Sequence, residues 1–220
     1  MTQRTKTIKR TLAPKTKDIA ESNGIDKLIQ AKIVYWGPGE SGKTTNFKEI
    51  KKKFSIKRIS RGYSVETSSG RTLWQDALHF SFDFTLEEEK CHFVVQLITC
   101  TGQERFLSTR EYVLDGADGV VFVGDSDPDK MEENKRSFRE LMSFIGKREV
   151  PHVVQLNKRD LTNAVPMERF KRQLGLPLKK TYLDGSLVVY PAVALTGENV
   201  IECFQDLTLQ IISKYFKTLR

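Results

Sequence analysis

The 220-residue chain has no apolar run approaching the ~20 residues that a bilayer-spanning helix needs. Its first ten residues, MTQRTKTIKR, lack the apolar core of a secretory signal, so the expected compartment is the cytoplasm. Cysteine is scarce. Cys91, Cys100 and Cys203 form no CxxC pair, and three widely spaced thiols are no disulfide framework. The three histidines, His79, His92 and His152, are equally scattered, which argues against a metal centre built from Cys and His. No internal repeat is present. With 39% hydrophobic residues the chain is too apolar for a disordered protein, and its length suits one domain with a sizeable core.

The net charge of +8 is local. Arg4, Lys6, Lys9, Arg10, Lys15 and Lys17 all precede the first acid, Asp18. A second cluster, Lys48, Lys51, Lys52, Lys53, Lys57, Arg58 and Arg61, is offset only by Glu49. Each stretch carries +6, so the remainder of the chain sums to −4. A mildly acidic body with two basic segments disfavours general nucleic-acid binding, which wants a basic face interleaved with exposed aromatics.

Residues 1 to about 20 show no helical or strand periodicity and read as an arm, and Asp26 to Ala31 as a short helix or linker. Residues 1–30 are thus set apart from a domain spanning 31–220. Within that domain apolar strands alternate with amphipathic helices. AKIVYW, ALHFSFDF, CHFVVQLITC, GVVFVGD, HVVQLN and LVVYPAVAL are the expected strands, with Glu87 to Lys90 as a hairpin turn. Helices are expected after the first strand at NFKEIKKKF, at Lys130–Phe144, at Pro166–Leu174 and from Glu198 to Phe216. In the last, Val200, Ile201, Phe204, Leu207, Ile211, Ile212 and Phe216 make the apolar stripe. The expected class is α/β, a mostly parallel sheet covered on both faces.

Chemistry concentrates after the first strand. Gly37-Pro38-Gly39-Glu40-Ser41-Gly42-Lys43-Thr44 fits GxxxxGK[ST] between a strand and a helix, which is the context a phosphate-binding loop requires. Glycines let backbone amides turn inward around phosphates, and the helix N-terminus adds a favourable dipole. Gly37, Gly39, Glu40, Ser41, Gly42, Lys43, Thr44 and Thr45 are the expected phosphate-loop contacts. Lys43 would reach the β- and γ-phosphate oxygens, and the Thr44 hydroxyl would hold Mg²⁺.

The phosphate loop does not choose a base, but Asn157-Lys158-Arg159-Asp160 does. A carboxylate at Asp160 accepts from both the ring N–H and the exocyclic amine of guanine, a donor pair that adenine lacks. The stem of Lys158 can lie over the base, and Asn157 can tie this loop to the phosphate loop. Ala194 and Leu195, in ALTG, end the last strand where a backbone N–H can meet the guanine oxygen, although a plain strand-to-helix turn also explains them. The ligands expected are GTP and GDP with Mg²⁺.

The segments KIVYWGPGESGKTTNFKEI, ADGVVFVGDS and VVQLNKRDL resemble the small Ras-like GTPases of bacteria and archaea typified by the gliding-motility polarity switch, the MglA type. The similarity runs from about Ala31 to the C-terminus. It implies a three-layer P-loop GTPase fold, a six-stranded, mostly parallel sheet flanked by about five helices. It also implies GTP hydrolysis to GDP and phosphate, two switch loops read by effectors, and a Roadblock-type activating protein as partner. Gly102-Gln103-Glu104-Arg105-Phe106 matches the second switch, with Gln103 orienting the attacking water. Small GTPases ordinarily carry Asp three residues before that glycine, as an outer-shell magnesium ligand. Thr99 stands there, as in the gliding-motility group. Asp83 in FSFDF is a candidate substitute through a water, or else a solvent-facing strand residue. Gly70-Arg71-Thr72-Leu73 looks like the first switch, Thr72 being the hydroxyl that senses γ-phosphate and Mg²⁺ and Arg71 a built-in arginine finger; Thr67, Ser68 and Ser69 are rival hydroxyls.

Three functions compete on this reading: a GTP/GDP switch, a slowly or non-hydrolysing guanine-nucleotide-bound scaffold, and an ATP-using nucleotide kinase. NKRD and the lack of an arginine-rich lid segment disfavour the last. The missing carboxylate at Thr99 favours the scaffold; Gln103 and Arg71 favour the switch. The basic arm has no myristoylation glycine, because Thr2 stands there, and KTLR offers no prenylation cysteine. Peripheral contact with anionic membrane, an acidic protein partner and a merely solubilising tail all remain open for it.

Overall fold

The computed structural model describes residues 25–54, 77–86, 88–100, 112–146, 148–177 and 188–218. Six strands form one sheet: β1 (Lys27–Trp36), β2 (Ala77–Leu86), β3 (Glu89–Thr99), β4 (Gly119–Asp125), β5 (His152–Asn157) and β6 (Val189–Pro191). The described helices are α1 (Lys43–Lys53), α2 (Met131–Ile145), α3 (Met167–Leu174) and α4 (Val200–Thr218), with a 3₁₀ turn at Pro128–Lys130. The strand order is β2-β3-β1-β4-β5-β6. Every neighbouring pair is parallel except the β2–β3 hairpin.

Alternation along the strands divides the core. Ile33 and Tyr35 of β1 face the layer that holds Phe47 and Ile50 of α1 and Phe204, Leu207 and Ile211 of α4. Val34 and Trp36 face Phe138 and Leu141 of α2 and Phe170 of α3. Burial on both faces is why β4 reads as a continuous apolar run rather than an alternating one. Aromatic rings fasten the first layer. Phe204 lies 5.7 Å from Phe54 and 5.8 Å from Phe80, in edge and tilted arrangements that suit ring quadrupoles. In the second layer the Trp36 indole donates to the Ser137 carbonyl at 3.0 Å, which satisfies its buried N–H.

Two sequence expectations are corrected by the sheet. Residues 27–30 are strand, not helix or linker: Lys27 to Gln30 pair with Cys91 to Val94 of β3. Their outer end is pinned by Asp26, whose amide donates to the Lys90 carbonyl at 2.9 Å while its carboxylate accepts from the Lys90 amide at 2.8 Å. The last strand is also shorter than LVVYPAVAL suggests. It ends at Pro191; the Ala192 amide still donates to the Leu156 carbonyl at 2.9 Å before the chain turns away.

The chain crosses from β1 outward to β2 and β3, then returns past β1 to β4. Connections therefore leave the carboxyl ends of β1 and β4 in opposite directions. In open parallel sheets ligands bind in the crevice at such a switch point.

Candidate guanine-nucleotide site

Four loops meet at the carboxyl ends of β1, β4, β5 and β6. The first, between Trp36 and α1, has a backbone that side chains would obstruct. Gly37 sits at φ 150° and Gly42 at φ 98°, in the region that favours glycine. A Cβ on Gly37 would collide with the Val123 carbonyl, and one on Gly42 with the Asn157 side-chain amide. Glu40 also has positive φ, 63°, which costs a non-glycine residue about 1–2 kcal/mol. Gly42 caps α1 without a side-chain bond, and no acidic residue lies in that helix's first turn. The positive end of the helix dipole is therefore left for an external anion, while Lys51, Lys52 and Lys53 complement its other end.

Lys43 is 7% exposed, and its ammonium donates to the Gly37 and Pro38 carbonyls at 3.0 and 2.5 Å and lies 3.5 Å from Ser41 Oγ. The lysine closes the loop into a ring. Thr44 and Thr45, in the first turn of α1, are half-buried. This cradle suits a di- or triphosphate: it opens on a helix N-terminus with no acidic residue and no side-chain cap, and it carries a buried cation. A hydroxyl at Thr44 beside it is an oxygen donor of the kind Mg²⁺ takes.

The β5 loop is tied to the phosphate loop by one side chain. Asn157 is 3% exposed; its Nδ2 donates to the Ser41 carbonyl at 2.8 Å, and its Oδ1 accepts from the Ala194 amide at 2.8 Å. Phosphate loop, β5 loop and β6 loop thus meet on a single residue. The Ala194 N–H is committed to that tie, while Leu195 beside it is 77% exposed. Asp160 is exposed at the mouth.

Two residues overlooked in the sequence complete the frame. Arg159 donates from Nη1 to the Val165 carbonyl at 2.6 Å and to Ser126 Oγ at 3.2 Å, bracing the NKRD loop against the end of β4. Asp125 is fully buried at the last position of β4, with Oδ2 2.6 Å from Lys158 Nζ. The ammonium approaches off the axis of a directed hydrogen bond, so the contact is chiefly Coulombic. A carboxylate closing the apolar run GVVFVGD was the available signal. Its partner, 33 positions on, is not legible from local sequence.

Asp83 does not belong to this site. It pairs across the hairpin with His92, which is opposite Leu28 at the start of β1. The phosphate loop begins after Trp36, eight residues further, about 26 Å along a strand. The Asp83 carboxylate sits instead 2.5 Å from His92 Nδ1, largely exposed. Thr99, opposite Tyr35 and 1% exposed, lies at the correct end of the sheet. Arg71, Thr72, Gly102 and Gln103, together with the rival hydroxyls at 67–69, lie outside the described residues.

Residues 17–211 match the model of the ADP-ribosylation factor family. The chain is 35% identical over 201 residues to the mutual gliding-motility protein MglA of Myxococcus xanthus, covering 89% of this chain and 95% of that one. It is 26% identical over 204 residues to human ADP-ribosylation factor-like protein 4C, covering 90% and 95%. A shorter match, 34% over 77 residues, covers 34% of this chain and 40% of the small COPII coat GTPase SAR1 of Giardia intestinalis. With its strand-end loops and these relatives, the chain belongs to the ADP-ribosylation factor family of small Ras-like GTPases and is of the MglA type.

Proposed function

We propose that the protein is a molecular switch that binds GTP with Mg²⁺, hydrolyses it to GDP and phosphate, and presents two conformations to an effector. The observation that carries this reading is Asn157, which joins the phosphate-binding loop to the two loops assigned to guanine. Lys43 and the α1 N-terminus hold the phosphates, and Asp160 accepts from the two guanine donors. The Leu195 amide takes the guanine oxygen, since that of Ala194 is committed to Asn157. Thr44 and Thr72 supply hydroxyl ligands for Mg²⁺, which when bound neutralises charge between the β- and γ-phosphates. Gln103 aligns a water for in-line attack on the γ-phosphorus. Arg71 sets its guanidinium against the charge that develops there, an effect worth roughly 10³–10⁵ in rate when fully engaged.

A second reading is favoured by Thr99, which puts a buried threonine rather than a carboxylate opposite Tyr35, at the carboxyl end of the sheet. On this reading the chain retains GTP and turns it over too slowly to cycle unaided, serving as a docking scaffold until a Roadblock-type protein completes the site. The basic arm then adds salt-sensitive attraction to the inner face of a membrane. Among the described residues no helix is long and apolar enough to cross one.

Single-turnover conversion of GTP to GDP by the purified protein with Mg²⁺ separates the two. The switch predicts conversion that Arg71→Ala abolishes and Gln103→Leu stalls without loss of GTP affinity. GTP held tightly and unconverted by the wild type would leave the scaffold.

A further inference from the structure

The Asp125–Lys158 pair has no evident structural task. The ends of β4 and β5 are already joined without it: the Ser126 amide donates to the Asn157 carbonyl at 3.0 Å, and the Val165 amide to the Ser126 carbonyl at 2.8 Å. Arg159 braces the same loop again, through Ser126 Oγ and the Val165 carbonyl. What the ion pair adds is control of one side chain, that of Lys158.

Asp125 is built as an anchor. Asn134 of α2 grips its backbone on both sides, accepting from its N–H at 2.9 Å and donating to its carbonyl at 2.9 Å, as a neighbouring strand would. Its Oδ1 accepts from the Asp127 amide at 3.0 Å. That leaves Oδ2 for the Lys158 ammonium, on a carboxylate with no exposure. Lys158 is the opposite case: a third of its side chain is exposed, and its backbone holds φ 64°, unusual for a lysine. A long side chain at a site mouth ordinarily samples many rotamers, and ordering it on binding lowers affinity. Here it is ordered in advance from its far end.

We propose that Asp125 is a positioning residue for the guanine base: by fixing the Lys158 ammonium it makes the lysine's aliphatic stem a preformed shelf against the face of the base. The proposal rests on the guanine-nucleotide reading above. Lys158 touches the nucleotide; Asp125 acts through it, and Asn134 steadies Asp125.

The test is a double-mutant cycle on release of a fluorescent GDP analogue from the full chain. Asp125→Asn keeps the size of the side chain and the acceptor for the Asp127 amide but lets the lysine go. It is expected to speed release about tenfold in the wild-type background. In the Lys158→Met background, which keeps a stem but no ammonium, the same substitution should produce no further acceleration. A merely structural Asp125 would accelerate release equally in both backgrounds, and that result overturns the proposal, as does unchanged release in the single variant. Should Asp125→Asn not be recovered folded, Lys158→Met is compared with the wild type. Release severalfold faster from the methionine variant, which keeps the stem but loses the tether to Asp125, supports the proposal, and unchanged release overturns it. Failure of the wild type to bind GDP at all would instead remove the guanine reading itself.

Discussion

The Asn157 side chain makes two buried hydrogen bonds at 2.8 Å, and Asn157→Ala orphans both the Ser41 carbonyl and the Ala194 amide. A buried polar group left without a partner costs about 1–3 kcal/mol, so the two together bring roughly 2–6 kcal/mol. In the free protein the loops can separate and admit water, recovering part of that cost. Bound nucleotide holds the loops together and keeps the penalty. The difference, taken at about 2–3 kcal/mol, should appear as GDP release about a hundredfold faster. The free protein should lose only a few degrees of thermal midpoint. Asn157→Asp sharpens the test because it is isosteric. It retains an acceptor for the Ala194 amide but sets a carboxylate oxygen against the Ser41 carbonyl, so it should be no milder than alanine. Release of a fluorescent GDP analogue into excess GDP measures both variants. If Asn157→Asp releases GDP within threefold of wild type, the residue only fills space, and the reasoning that joins the three loops through it is refuted.

Two further outcomes follow from the geometry. Glu40→Gly removes a left-handed non-glycine residue and a negative charge from the rim of the phosphate loop. It should slow GDP release severalfold, and faster release would contradict the charge argument. Phe204→Ala empties the ring cluster beneath α4 and should cost about 3–5 kcal/mol in urea unfolding, without altering GDP affinity of the folded protein at low temperature; a loss below 1 kcal/mol would mean the cluster closes over the gap.

Legibility in the sequence divided along physical lines. The phosphate loop and NKRD were legible because each packs its chemistry into a few consecutive residues with a strand beside them. The α4 stripe was legible from helical spacing alone, since its seven expected apolar residues all recur in the first core layer. The start of β1 was not, because KLIQ carries little apolar signal and gains its strand character from pairing with β3. Asp83 was misplaced for a related reason. Strand pattern tells which face a residue takes, but hairpin register decides which end of the sheet it reaches, and that register put it beside His92. Asp125 reaches Lys158, and Arg159 reaches Ser126, only through the β4–β5 pairing, so those contacts lay beyond any local window.

Titration of the nucleotide-free protein with Mg²⁺–GDP and Mg²⁺–ADP decides whether these strand-end loops form a guanine site. The wild type should prefer GDP by at least about a hundredfold, because a site built to pair two donors rejects a base that lacks them. Asp160→Ala should erase most of that preference while leaving ADP binding unchanged. Equal affinity of the wild type for the two diphosphates would mean that these loops do not read the base.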